Sequence, residues 1–286
     1  MEALQHAISV RDAGDQETAL EEFRLLADKT ADPVEKASLI LNETNILIAL
    51  RRFEEAMGSL QRARHIATDE SSRAHADCQE ALLSMWEGRP KDALRIYRRM
   101  LDEYPRFLAD PEYRYLKIEV DLNIGVALAF LGRADEAIPR LNEALTYGIP
   151  DGRKAWVYYK LGVCFQIKKQ EQRAIEAFQK AIQLSSDLDT LVGARYSLGV
   201  LYGKEGAWGK ALQELEWCEQ HFVPCDIPLE WVCACLAKIL RAVGRITEAE
   251  KYQKRTDDLV EGASKNLELK GENGKTGTGK TGTPLE

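Results

Sequence analysis

The chain has 286 residues, 45% hydrophobic and 30% charged, with a formal net charge of −7 and six cysteines. Its longest run without a charged residue is 11 residues, 122–132, short of the roughly 18 apolar residues of a membrane span, and its start lacks the basic-then-apolar pattern of a secretory signal. The acidic balance counts against a dedicated nucleic-acid binder, whose affinity rests on phosphate contacts, and sparse cysteines suit a reducing, cytoplasmic setting.

One pattern recurs in chain order: a turn, a few polar residues, an alanine, then a large apolar residue four positions on. Gly14 leads to Ala19 and Phe23, Arg52 to Ala56 and Leu60, Gly88 to Ala93 and Tyr97, and Gly132 to Ala137 and Leu141. Later copies centre on Ala174 with Phe178, Ala211 with Leu215, and Ala249. Successive alanines lie 37, 37, 44, 37, 37 and 38 residues apart. A period of about 20–50 residues marks a repeat architecture, so the length means seven stacked units and not two domains.

Each copy predicts two helices joined by a tight turn. In the fifth, Trp156, Tyr159, Val163 and Ile167 fall at helical spacing, and a second segment carries Ala174, Phe178, Ala181 and Ile182. Glycine closes the first helix in five copies, at Gly14, Gly88, Gly132, Gly206 and Gly244, where a left-handed residue is needed. Seven residues before each turn stands a small residue: Ala7, Thr44, Ala81, Gly125, Gly162, Gly199 or Ala237. Small residues on both helices predict that the pair crosses closely there.

The 44-residue interval holds Pro105, Phe107, Leu108 and Pro111 and reads as an elongated loop whose apolar residues pack back on the array. In the last copy Gln253 and Thr256 read as a solubilising cap, since a terminal repeat has no neighbour to cover it. From 262 to 286 the sequence predicts a flexible Gly/Lys/Thr-rich tail. Residues 274–281 fit the letters of a phosphate-binding loop, but neither a preceding strand nor a following helix is encoded, so no nucleotide cofactor is expected. Cys218, His221, Cys225, Cys233 and Cys235 do not make two metal-ligand pairs, and Cys218 falls where Ala144 and Ala181 stand in other copies. The histidines are scattered over different copies with no nucleophile motif, so the expectation is a non-enzyme without metal or cofactor.

The blocks 158–165 (Tyr-Tyr-Lys-Leu-Gly-Val-Cys-Phe) and 196–202 (Tyr-Ser-Leu-Gly-Val-Leu-Tyr) resemble the first helix of tetratricopeptide (TPR) repeats. The run Ala174, Phe178, Ala181 resembles the second, and Pro105 and Pro224 match the proline that commonly ends a repeat. The resemblance spans about residues 2–261 and departs from the pattern at His6, Glu43 and Glu80, where leucine is usual. It implies an all-α, right-handed superhelical solenoid of about seven repeats over 1–261, whose first helices line a concave groove.

Such arrays hold a peptide or partner protein in that groove. Helical spacing around the small residues selects Asn42, Asn45, Trp86, Asn123, Phe130, Trp156, Tyr159, Lys160, Tyr196 and Trp231 as contacts. Aromatics supply contact area, and amides can pair with a peptide backbone. The Lys/Asn set with which one TPR subtype clamps chaperone C-termini is incomplete, since Leu122, Val126, Lys160, Gly193 and Ser197 stand at its positions in copies four to six, and Leu41, Asn45, Gln79, Glu119 and Asn123 in copies two to four. The expected function is a non-enzymatic adaptor or scaffold binding a protein or peptide, with neither nucleic acid nor membrane insertion. The alternative is a self-assembling protein using its terminal repeats or the 104–111 segment.

Overall fold

The computed structural model describes residues 2–223 and 227–273, with side chains through Gly262. Helices fill it, and among the described residues no strand occurs. Seven helix pairs follow in order: α1 (Glu2–Asp12) with α2 (Gln16–Lys29), α3 (Pro33–Ala49) with α4 (Phe53–Ile66), and α5 (Glu70–Trp86) with α6 (Pro90–Glu103). After a short α7 (Pro105–Ala109) come α8 (Arg114–Phe130) with α9 (Ala134–Leu145), and α10 (Asp151–Ile167) with α11 (Glu171–Leu184). The last two pairs are α12 (Leu188–Lys204) with α13 (Trp208–Gln220), and α14 (Leu229–Ala242) with α15 (Ile246–Asn273). The chain forms two compact units, divided after Ala127.

All seven turns share one geometry. A residue at positive φ follows the first helix, and the next N–H reaches back five residues: Asp15 to Val10, Arg52 to Leu47, Arg89 to Ser84, Arg133 to Leu128, Gln170 to Phe165, Ala207 to Tyr202, and Arg245 to Leu240. This is the Schellman end, which satisfies carbonyls that the helix leaves orphaned. Glycine takes the positive-φ place in five turns, as expected, while Arg51 and Lys169 take it in the other two, each at φ 57°. Aspartate opens α2, α3, α5 and α12, where Asp15, Asp32, Asp69 and Asp187 accept from the backbone N–H three residues on.

The small residues sit where the pattern placed them. The alanines at 19, 56, 93, 137, 174, 211 and 249 are fully buried. A Cβ on Gly162 would come within 2.5 Å of Phe178 Cε1, and one on Gly199 within 2.7 Å of Leu215 Cγ. Cys218 is buried like Ala144 and Ala181, and its thiol donates to the Val192 carbonyl at 3.5 Å. In the last pair Gln253 and Thr256 are half-buried, and Gln253 accepts from Arg241.

The segment after α6 differs from the expected loop. Pro105 and Pro111 each open a helical turn, α7 and a 3-10 turn over Pro111–Tyr113. Proline is compatible with a first helical turn, where its missing N–H would have had no partner. Leu108 is buried, and Phe107 packs on Tyr113 with ring centroids 4.0 Å apart. Helix α15 runs past the boundary at Glu261 to Asn273. The phosphate-loop-like run at 274–281, Pro224 and Cys225 lie outside the described residues.

In the first unit the departures from the leucine pattern carry charge into the packing. The Glu43 carboxylate is buried and accepts from Arg24 of α2 (3.0 Å), from Arg62 of α4 (2.8 Å) and from Ser59 (2.7 Å). One pair later Asp77 is also buried; it pairs with Arg64 of α4 and with Arg99 of α6 (3.0 Å) and accepts from Tyr104 (3.1 Å). Glu80 joins Arg64 at 2.6 Å, and His6 lies 3.2 Å from Glu22. A first-helix acid between arginines of the two flanking second helices thus replaces an apolar contact, with its oxygens satisfied.

Candidate functional site

The first helices of each unit present one face. In the first unit, side-chain bonds tie these helices to one another. Asn42 accepts from Arg11 of α1 (3.1 Å) and donates to the Ser38 carbonyl (2.9 Å). Gln79 is buried and donates to the Leu41 carbonyl of α3 at 2.8 Å. His75 Nε2 lies 2.5 Å from the Tyr115 hydroxyl of α8. Asn123 is buried and donates to Glu119 at 3.0 Å, while Asn45 is exposed. Trp86 ends α5 and reaches the turn of the preceding pair. It stacks on Phe53 (centroids 6.0 Å, 22° between planes) beneath the Arg51 guanidinium at 5.1 Å, yet stays 44% exposed.

The second unit gathers more of the selected residues. The Lys160 ammonium lies 4.2 Å from the ring centre of Phe130, 4.7 Å from Tyr159 and 5.8 Å from Trp156. The lysine is only 4% exposed, whereas Phe130 is 50% exposed and Trp156 half-buried. A desolvated ammonium held by ring faces contributes up to about 2 kcal/mol per contact. Tyr159 is buried because α12 has Gly193 opposite it, where a Cβ would meet Tyr159 Cζ at 2.6 Å. Tyr196 is buried on the next helix and accepts a weak bond from the Cys235 thiol of α14, 3.7 Å away. Burial, with Cys235 alongside, pushes the Tyr196 hydroxyl well above its ordinary range, so it stays protonated. Burial likewise raises the Cys164 thiol to about 11, against the opposing influence of Lys160. Trp231 is half-buried, and Lys238 beyond it is exposed.

The selected residues therefore divide. Phe130, Trp156 and Trp231 are half-buried or exposed in the second unit, as are Trp86, Asn42 and Asn45 in the first. Tyr159, Lys160, Tyr196 and Asn123 lie beneath, as packing that shapes each face. Spacing alone did not reveal the enclosure of Lys160 or the Tyr196–Cys235 contact. The available signal was aromatic residues on three sides of one lysine, at positions 130, 156 and 159. Among the described residues no group of three His, Cys, Asp or Glu side chains could hold a metal ion, and no helix is long and apolar enough to cross a membrane.

Residues 116–187 match the tetratricopeptide repeat family. The chain has the fold of a tetratricopeptide repeat array. A tetratricopeptide repeat protein from Parabacteroides merdae superposes with a TM-score of 0.56 at 17% identity, covering 90% of this chain and 92% of its own. The Rap protein complexed with competence and sporulation factor gives 0.61 at 15% identity, over 91% of this TPR chain and 74% of Rap. The Cut9–Hcn1 hetero-tetramer of the APC/C gives 0.65 at 18% identity, over 90% of this chain and 48% of that one. No curated protein matches the chain significantly. These likenesses establish the fold of the TPR array.

Proposed function

We propose that this TPR protein is a non-enzymatic adaptor whose second unit docks a peptide or protein segment on the face of α10, α12 and α14. The observation that carries this reading is the aromatic surface around Lys160. Phe130 and Trp156 present ring area to solvent, while their positions are fixed from beneath by a buried ammonium and the buried Tyr159. Preset rings lose little rotamer freedom on binding, and large aromatics dominate interface energetics. Trp231 extends the surface along α14, and Asn45 with Asn42 gives the first unit a separate polar face. Complexes such as Rap with its factor and Cut9 with Hcn1 form on the same fold.

The test uses Phe130→Ala and Trp156→Ala, singly and together, in the full chain. Partner capture should fall by about tenfold or more per ring, the loss typical of an anchoring aromatic. Far-ultraviolet circular dichroism and the melting temperature should change little for Phe130→Ala, which is half exposed. Unaltered capture by the double variant would refute the assignment.

A further inference from the structure

The charges of the second unit are sorted between its helices. In α10, α12 and α14 the carboxylates stand only in the first turns, at Asp151, Asp189 and Glu230. Beyond those turns the three helices carry cations alone. Arg195 is turned to α13, where it donates to Glu214 at 2.7 Å and lies over the Trp217 ring. Lys160 lies beneath the rings, and Lys204, Lys238 and Arg241 are exposed, Arg241 donating to the neutral Gln253 amide of α15 at 3.2 Å. Lys238 lies close enough to oppose the burial-driven rise of the Cys235 thiol, which faces Tyr196 on the neighbouring first helix. By helical spacing Lys204 falls in line with Ser197 and Val200, and Lys238 with Trp231 and Cys235, so these cations share the first-helix face of the aromatic surface, with Arg241 at its edge, in a chain whose net charge is −7.

We infer that the segment docked on this face is acidic: an extended polypeptide that sets Asp or Glu carboxylates against Lys204, Lys238 and Arg241 and an aromatic or aliphatic side chain against Phe130 and Trp156. This rests on reading that face as the docking surface. A protein rich in carboxylates elsewhere repels such a segment except here, so the charge sorting selects the binding face and speeds encounter. Nucleic acid is the less suitable polyanion. Three exposed cations beyond the first turns of these helices, in an acidic chain, release few counterions, and binding to phosphate backbones depends on that release.

The experiment displays random twelve-residue peptides to the full chain and measures the enriched peptides by fluorescence anisotropy. Enriched peptides should carry an excess of Asp and Glu around an aromatic or aliphatic residue. Their affinity should fall several-fold between about 50 and 300 mM salt, as expected where screening shortens the reach of exposed charges. Lys238→Glu with Arg241→Glu should weaken them at least tenfold, and so should Trp156→Ala. Neutral or basic enriched peptides, or indifference to charge reversal with loss on Trp156→Ala, would overturn the acidic assignment and leave the docking face intact. Indifference to both variants, or no enrichment at all, would overturn the docking face as well. Tighter binding of a twelve-nucleotide oligothymidylate than of any peptide would also overturn the inference.

Discussion

Gly162→Ala tests whether the close helix crossing holds each TPR pair together. A Cβ at this position would lie 2.5 Å from Phe178 Cε1, 2.6 Å from Cδ1 and 2.8 Å from Cζ. Comfortable carbon contacts begin near 3.5 Å, so α10 and α11 must part by about 1 Å or the ring must turn. The ring has no room to turn, since Phe178 is fully buried and packs against Tyr159 at 6.1 Å. Overpacking of this kind costs about 1–3 kcal/mol, and alanine returns about 1 kcal/mol of helix propensity. The net expectation is a loss of about 1 kcal/mol, or about 2–4 °C in melting temperature for a chain of this size. Gly58→Ala supplies the control. It too is interior to a helix, but a Cβ there meets nothing within 4 Å, so the same change should raise stability by about 1 kcal/mol. Thermal and urea unfolding of both variants measure the difference. Phe178→Leu should rescue part of the Gly162→Ala loss, as a coupled pair requires. Equal or greater stability of Gly162→Ala would refute the steric argument.

Four further outcomes are expected. Lys169→Gly should stabilise the chain by up to about 1 kcal/mol in urea unfolding, because the left-handed residue at φ 57° loses its Cβ strain while glycine adds unfolded-state entropy; Arg51→Gly should gain less, since Arg51 also lies over Trp86. Pro139→Ala should raise the melting temperature, since Pro139 sits exposed inside α9 and its missing N–H leaves the Asp135 carbonyl without a helical partner, a defect of about 3 kcal/mol in an ideal helix. Asp69→Ala should cost about 1 kcal/mol at pH 7 by removing the cap on Ser72 N–H. Burial raises the Asp69 pKa, but the Ser72 bonds outweigh it and hold the carboxyl below its ordinary value; its contribution is therefore present above the unfolded value of about 3.9 and lost as pH falls through the lower folded value, so the two proteins should converge in stability in strong acid. Glu43→Leu should leave stability within about 1 kcal/mol in the same assay, whereas Glu43→Ala should lose more, because Arg24 and Arg62 are partly exposed and can turn to water but a cavity cannot refill.

The repeat period was legible because it rests on steric necessity. Every second-helix alanine is fully buried, and substitutions there would separate the pair, so the spacing survives in the letters. Glycine marked five of the turns, and the repeat spacing alone placed the other two. At Arg51 and Lys169 the same backbone bond forms with a side chain that pattern reading assigns elsewhere, because the hydrogen bonds of the turn outweigh the strain of one left-handed residue. The 105–113 segment was misread for the opposite reason. Proline breaks a helix interior, but at the first position of a short helix it loses no bond.

The proposed binding face was less legible because helical spacing gives direction but not depth. Tyr159, Phe130 and Trp156 all belong to the aromatic surroundings of Lys160, yet what decides exposure is the residue opposite on the adjoining helix. Tyr159 sinks because Gly193 leaves a hollow, and that glycine lies 34 positions away in the next repeat. Phe130 has its ring face on the Lys160 ammonium and half its surface in water, so it keeps the contact area that a partner could use. The same dependence explains the acids of the first unit. Glu43 looks like a groove residue or a flaw in the motif until Arg24 and Arg62, each 19 residues away, are placed on either side of it. A charge at a first-helix position is structural where the flanking second helices offer its counter-ion. Arg241 meets only the neutral Gln253 amide on α15, and neither it nor Lys238 has a carboxylate on its own helix beyond the first turn, so their charge is the one the proposed acidic segment would meet.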